Sequence, residues 1–422
     1  MISRIEALNY RSLRDVDVRL GPFEILVGPN GSGKSSLLDV VALLGDLLRA
    51  GPAKSILGDP RLGVEQRSPD PRHLCWMRQG DRFELAVEAS IPPERKARLK
   101  NGGYESCRYE VAVGVSGPVT LLAETLWLLP AIEQEPSAVQ ADLFPQPRKA
   151  RESIIRQAGA KTPAGWRKVV NKVKESGNDY FMAETSGWNN PFRLGPEKSA
   201  LANLPEDEER FPVATWFKRL LMEGVQRIVL SSEAMQRPSP PGLPKALQPD
   251  GSNLPWIVDS LDPEARARWV AHLQTALPDL VDIRTTERPE DKHRYLVVEY
   301  QGGLEAPSWL ISDGTLRLLA LTLLAYIPSL SGIYLIEEPE NGIHPRAVET
   351  VFEALSQVYD AQVLCATHSP LLVGRASPGN LLCFARSQES ATAIVRGSDH
   401  ARLKAWRGEV DLGTYFASGV LE

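Results

Sequence analysis

The run Gly28-Pro29-Asn30-Gly31-Ser32-Gly33-Lys34-Ser35-Ser36 concentrates residue types that bind phosphate. Glycines at 28, 31 and 33 let the backbone curl with its N–H groups inward, which makes an anion nest at a helix N-terminus. Lys34 adds a point charge for β- and γ-phosphates, and the Ser35 hydroxyl is a magnesium ligand. Pro29, Asn30, Ser32 and Ser36 complete the lining. A G-x-x-x-x-G-K-S match counts only between a strand and a helix. Here 23–27 is a short apolar run suited to a buried strand, and Leu37, Val40, Val41, Leu44, Leu47 and Leu48 recur at helical spacing. The segment predicts binding of a nucleoside triphosphate.

Three further constellations follow in the C-terminal half. Ile333-Tyr334-Leu335-Ile336 reads as a strand that ends in Glu337-Glu338. A carboxylate there can hold magnesium through water, and the next can orient or deprotonate an attacking water. Glu337 is assigned to the metal and Glu338 to the water. Upstream, Ser312-Asp313-Gly314-Thr315 opens a leucine-rich helix, either as a plain N-cap or as a second phosphate-binding helix terminus. Downstream, an amphipathic helix from Pro345 leads to a strand at 362–366 and then Thr367-His368-Ser369-Pro370. His368 is either a γ-phosphate hydrogen-bonding group or a structural histidine.

Taken in order, G-P-N-G-S-G-K-S, S-D-G-T, I-Y-L-I-E-E-P-E-N-G-I-H-P and A-T-H-S resemble the ATP-binding-cassette type heads of the RecF, SMC and OLD ATPases. The resemblance covers roughly 1–129 and 226–382. It implies an α/β P-loop NTPase fold: an ABC-type head with a mixed β-sheet, an antiparallel β lobe and, here, a mainly helical insertion. It further implies ATP and Mg2+ as ligands and a homodimer that sandwiches ATP. Ser312 and Gly314 would then be a signature motif reaching the γ-phosphate of the opposite protomer. His368 would be the switch histidine, and Glu340-Asn341 would lie in a loop crossing the dimer interface.

Departures from the family pattern are informative. The first Walker B acid is Glu337, where transporters and SMC proteins usually carry Asp. No lobe-coupling glutamine stands out, with Gln66 and Gln79 both available. Arg11 is either a phosphate-side basic residue or a surface arginine. Between the halves, 131–225 contains prolines and no sustained heptads, so no long coiled coil is expected. OLD nucleases append a metal-binding TOPRIM domain after the switch histidine. Here 54 residues follow His368, without a plausible cluster of metal carboxylates, so any nuclease is expected on a separate chain. The tail 402–421 is expected to dock on the head or on a partner.

These elements sit in a chain of 422 residues with 43% hydrophobic and 24% charged residues, ordinary values for a globular protein. The expected domains are 1–130, an ATP-binding lobe with Walker A and antiparallel strands at 83–90, 104–115 and 120–129; 131–225, a basic insertion with a helix at 151–174; and 226–422, the C-terminal ATPase lobe. Four cysteines without C-x-x-C spacing fit a reducing cytoplasm, and no apolar stretch is long enough for a membrane span. A net charge of -5 excludes a uniformly basic nucleic-acid binder. Yet 146–175 holds nine basic residues against Glu152 and Glu175, a local +7. That suits DNA contact, a solvated face or docking of an acidic partner.

The favoured function is an ATPase subunit of bacterial anti-phage or DNA-related defence, working with a separately encoded nuclease or toxin. A DNA-repair clamp of RecF/SMC type is the alternative, and a transporter nucleotide-binding subunit a third.

Overall fold

Alternating apolar residues at the N-terminus form strand β1 (Ile2–Tyr10) in a computed structural model of the chain. The structure describes residues 1–99, 103–131, 150–156, 162–173, 178–244, 246–387, 389–404, 406 and 411–419. After β1 come β2 (Leu13–Arg19), β3 (Phe23–Val27), β4 (Arg82–Ser90), β5 (Tyr104–Gly114), β6 (Thr120–Pro130), β7 (Arg167–Val173), β8 (Tyr180–Met182) and β9 (Asn189–Pro191). The second half carries β10 (Val225–Ile228), β11 (Leu280–Glu287), β12 (Arg294–Tyr300), β13 (Leu304–Pro307), β14 (Ile333–Glu337), β15 (Gln362–Ala366), β16 (Leu381–Arg386) and β17 (Thr392–Arg396). The chain divides into two units: Met1–Gly21 with Gly28–Val225 and Cys383–Lys404, and Pro22–Val27 with Gln226–Leu382 and Ala405–Glu422.

The first unit is built on an antiparallel sheet of eight strands, ordered β2-β1-β4-β5-β6-β7-β8-β9. The register puts Arg4, Glu88 and Arg108 side by side, then Glu6, Ala86 and Glu110, then Leu8, Glu84 and Ala112, all on one face. Most of these charged residues are buried. Arg108 pairs with Glu6, Glu88 and Glu110. Residues 150–156 lie across the same face: Ile154 packs with Leu8 and Ala86, its N–H donates to Glu84 at 2.8 Å, and Arg156 N donates to Glu110 at 2.9 Å. A buried carboxylate needs partners of this kind. Arg108→Ala should therefore lower the unfolding free energy by about 3–5 kcal/mol, because it removes the buried cation shared by three acids; urea denaturation reads the loss.

Among the described residues of 151–174 the expected helix does not form. The described parts are an irregular crossing at 150–156, a turn at 162–166 and β7, which pairs with β6 and β8. Lysines at helix-like intervals misled the reading, whereas Val169 and Val170 are fully buried in the sheet. The described residues of 131–225 hold three strands and one helix of more than a turn or two, Pro212–Met222, so this stretch is not mainly helical. Buried Glu184 accepts that helix's first amides, Val213 N and Ala214 N. Burial pushes the Glu184 carboxyl up to about 7.

The second unit orders β10, β14, β15 and β3 side by side. β14 runs parallel to β15, and β15 parallel to β3. All five residues of β3 and of β15 are buried, as strands covered on both faces should be. β11, β12 and β13 make a separate antiparallel sheet. The C-terminal helix Leu412–Ala417 docks on the helix Pro370–Arg375, so this part of the tail packs within this unit.

Candidate nucleotide-binding and hydrolysis residues

β3 ends at Val27, and the next residues are the glycine loop. Gly33 has a φ of 110° as N-cap of the helix Lys34–Ala50, a conformation open to glycine at little cost. A Cβ there would lie 2.3 Å from Thr392 Oγ1, so the cradle is closed to any larger residue. Lys34 is only 6% exposed and donates to the Gly28 and Pro29 carbonyls at 2.7 and 3.0 Å. Ser32 is fully buried, and its Oγ has no hydrogen-bond partner among the described residues. Ser35 is exposed at the helix start, and Ser36 Oγ lies 3.3 Å from Ser12 Oγ. An ammonium folded onto its own loop carbonyls, an orphaned buried hydroxyl and a glycine-only cradle together fit a phosphate chain.

Five residues beyond Lys34, Asp39 anchors this helix. Tyr10 Oη donates to it at 2.6 Å, Arg11 pairs with it at 2.8 Å, and Arg67 Nε donates at 2.8 Å. Burial would raise the Asp39 carboxyl, but Arg67 and Arg11 outweigh it and hold the group below its ordinary value. Arg11 is thus an ion-pair partner of the P-loop helix. Gln66 and Gln79 are both exposed, and nothing in their surroundings favours one over the other.

In the second unit the carboxyl ends of β3, β15 and β14 are neighbours by register. Thr367 N donates to Leu26 O at 3.1 Å and Glu338 N to Ala366 O at 2.7 Å, which extends the ladder just past the strands. Glu338 is exposed, with a φ of 49°. Such a backbone costs a non-glycine residue of order 1–3 kcal/mol and is typical of functional positions. Asn341 Nδ2 holds its carboxylate. Glu337 is half-buried and pairs with Arg227 on β10 at 3.1 Å. His368 is half-buried, and its N–H donates to Glu340 Oε1 at 3.2 Å. A cavity of about 370 Å³ beside these groups is lined by Arg227, Arg317, Glu337, Glu338 and Asn341 among others.

Ser312 does cap the leucine-rich helix Asp313–Leu323: its Oγ accepts from Thr315 N at 3.2 Å. The cap itself is exposed. Gly314 packs against the loop after β14, where a Cβ would come within 2.4 Å of Gly342 O. Among the described residues no group of three or more His, Cys, Asp or Glu side chains could hold a metal.

The basic run fares differently. Arg151 pairs with Asp15 and Glu6, and Arg167 donates to Ala183 O at 2.5 Å. Lys168 sits over the Trp127 ring at 4.5 Å. The buried Lys172 ammonium donates to the Gly195 and Lys198 carbonyls, and Arg156 lies over Trp166 at 5.4 Å. Arg148, Lys149, Lys161 and Lys174 lie outside the described residues. The described charges are engaged in the fold and do not make one continuous polyanion face.

The pairing of Arg227 with Glu337, the contact of Glu340 with Thr367 and the pairing of Asp39 with Arg67 have no counterpart in the sequence pattern. The partners lie 27 to 110 positions apart, and no local pattern announces such pairs.

Known proteins bear on this geometry. A family model described as "AAA domain, putative AbiEii toxin, Type IV TA system" matches residues 122–374, and one described as "AAA ATPase domain" matches 1–50. The OLD nuclease of Thermus scotoductus is 46% identical over 48 residues, 11% of this chain and only 9% of that protein. The crystal structure of an Smc head bound to the C-winged helix domain of ScpA superposes with a TM-score of 0.53 at 12% identity. That superposition covers 93% of this chain and 96% of the Smc chain, a likeness of fold. No helix among the described residues is long and apolar enough to cross a membrane.

Proposed function

The chain belongs to that AAA-domain family, within the RecF/SMC/OLD group of ABC-type ATPases, and on this premise we propose that it binds and hydrolyses ATP as an ATP-sandwiched homodimer. One observation carries the reading. Three adjacent parallel strands end at one sheet edge, and the residues that follow are the glycine loop, Thr367-His368 and Glu338.

Each side chain then has a task. Backbone amides from Asn30 to Ser36 and the Lys34 ammonium bind the phosphates once Lys34 leaves its loop carbonyls. Magnesium, when bound, neutralises charge at the β- and γ-phosphates; Ser35 and Glu337 are the residues that would hold it, Glu337 by exchanging its Arg227 partner. Glu338 orients and deprotonates the attacking water. His368 hydrogen-bonds the γ-phosphate side. The exposed Ser312 hydroxyl and Gly314 serve the nucleotide of the opposite protomer.

The biological setting proposed is a regulatory ATPase of a bacterial defence system, acting on a separately encoded nuclease or toxin. The family description, with its toxin and Type IV TA system, and the short OLD nuclease match support that setting. DNA contact within 146–175 is proposed only for the four basic residues outside the described segments.

Composite sites are tested by mixing two dead variants. Lys34→Ala and Ser312→Arg should each lose ATPase activity. Mixed in equal amounts they should regain about a quarter of wild-type turnover, because half of the dimers are mixed and keep one intact site of two. A mixture no more active than its components would overturn action of Ser312 across the dimer.

A further inference from the structure

Two consecutive residues after β14 reach in different directions. Asn341 holds the Glu338 carboxylate. Glu340 Oε1 instead accepts from Thr367 Oγ1 at 2.6 Å and from His368 N at 3.2 Å. Thr367 is fully buried, and its hydroxyl also receives Ser369 N at 2.9 Å. The second oxygen of Glu340 is buried and has no hydrogen-bond partner among the described residues. A carboxylate placed this way loses hydration at one oxygen without compensation, which a solvated surface glutamate would avoid by turning outward.

We infer that Glu340 is a positioning residue: its one engaged oxygen ties the Thr367-His368 turn to the loop that carries Glu338, so the water-activating group and the histidine are set together. Asn341 and Glu340 are adjacent in the chain, so a shift of this loop moves Glu338 through Asn341 and the His368 backbone through Glu340 in one displacement. The task needs an acceptor at Oε1 and needs no charge. Its consequence for turnover rests on the proposed ATPase reading; the bridge itself does not.

Two variants and two readouts test it. Glu340→Ala removes the acceptor and should lower ATP turnover by roughly tenfold to a hundredfold, the scale of small misplacements at reacting groups, while ATP affinity stays within about threefold. Glu340→Gln keeps a carbonyl oxygen for both donors and should retain turnover within about threefold, with an unchanged pH profile. Amide hydrogen exchange, read by mass spectrometry on the segment holding Thr367 and His368, should speed at least about tenfold in Glu340→Ala and stay near wild type in Glu340→Gln. Should Glu340→Ala misfold, Thr367→Val removes the shorter bond alone and should show the same exchange effect in weaker form. Unchanged exchange in Glu340→Ala, or in Thr367→Val where that variant stands in, overturns the bridge. Glu340→Gln as damaged as Glu340→Ala, or with a lost limb of the pH profile, overturns positioning in favour of a charged or proton-transferring role. A wild-type chain that hydrolyses no ATP overturns the ATPase reading instead, and hydrogen exchange still decides the bridge.

Discussion

Replacing Lys34 by alanine should weaken ATP binding by roughly 10²-fold or more. A hydrogen bond to a charged group contributes about 1.5–3 kcal/mol, and in the proposed binding mode Lys34 would make such contacts to phosphate oxygens in a loop whose other donors are backbone amides. A second effect adds to the first. The ammonium now satisfies the Gly28 and Pro29 carbonyls at 2.7 and 3.0 Å, and the side chain is 6% exposed, so alanine leaves acceptors and a void inside the loop. The cradle that remains cannot be improved by a neighbour, because Thr392 Oγ1 already stands where a Cβ on Gly33 would go. Calorimetric titration with ATP and magnesium measures the change. Affinity within threefold of wild type would remove the P-loop from the binding account.

Glu338→Gln should act on turnover and spare binding. Positioned general bases contribute about 10²- to 10⁴-fold, and the variant should lose a comparable factor in kcat with ATP affinity within about threefold. The backbone supports this assignment. Glu338 is held at a φ of 49° one residue past β14, and its N–H is fixed on Ala366 O at 2.7 Å. Strain of that kind persists only where surroundings over-determine it. Glutamine fits the same space and keeps an oxygen for Asn341, so the fold should be unaffected. Glu337→Gln makes the contrast: by removing a magnesium-side charge it should weaken magnesium-dependent binding itself. Equal effects of the two variants on affinity would undo the division of labour between the paired carboxylates.

Local chemistry was legible in the sequence; distant pairing was not. The glycine loop, the Glu337-Glu338 strand end and the Thr367-His368 turn each announce themselves within a few residues, since strand, turn and helix signals lie side by side. β4, β5 and β6 lie within a residue of the expected strands, which turn-rich stretches such as Ile91-Pro92-Pro93 bound. β7 was not, because its lysines bury their stems against the sheet and find Trp127, Asn171 and backbone carbonyls as partners. Charge counted along 146–175 suggested a surface, yet Lys172 is buried and Arg151 is paired. The same holds for Arg227 and Glu337, 110 positions apart. Only the fold, by setting β10 beside β14, brings that pair together.

The central claim is that ATP joins two copies of the chain, and Glu338→Gln offers its most direct measurement. The purified variant is passed over a sizing column with light-scattering detection, with and without saturating ATP and magnesium. The mass should be near 46.5 kDa without nucleotide and twice that with ATP, because binding proceeds while the step that reopens the dimer is blocked. A variant that demonstrably binds ATP yet stays at the mass of one chain would contradict the claim.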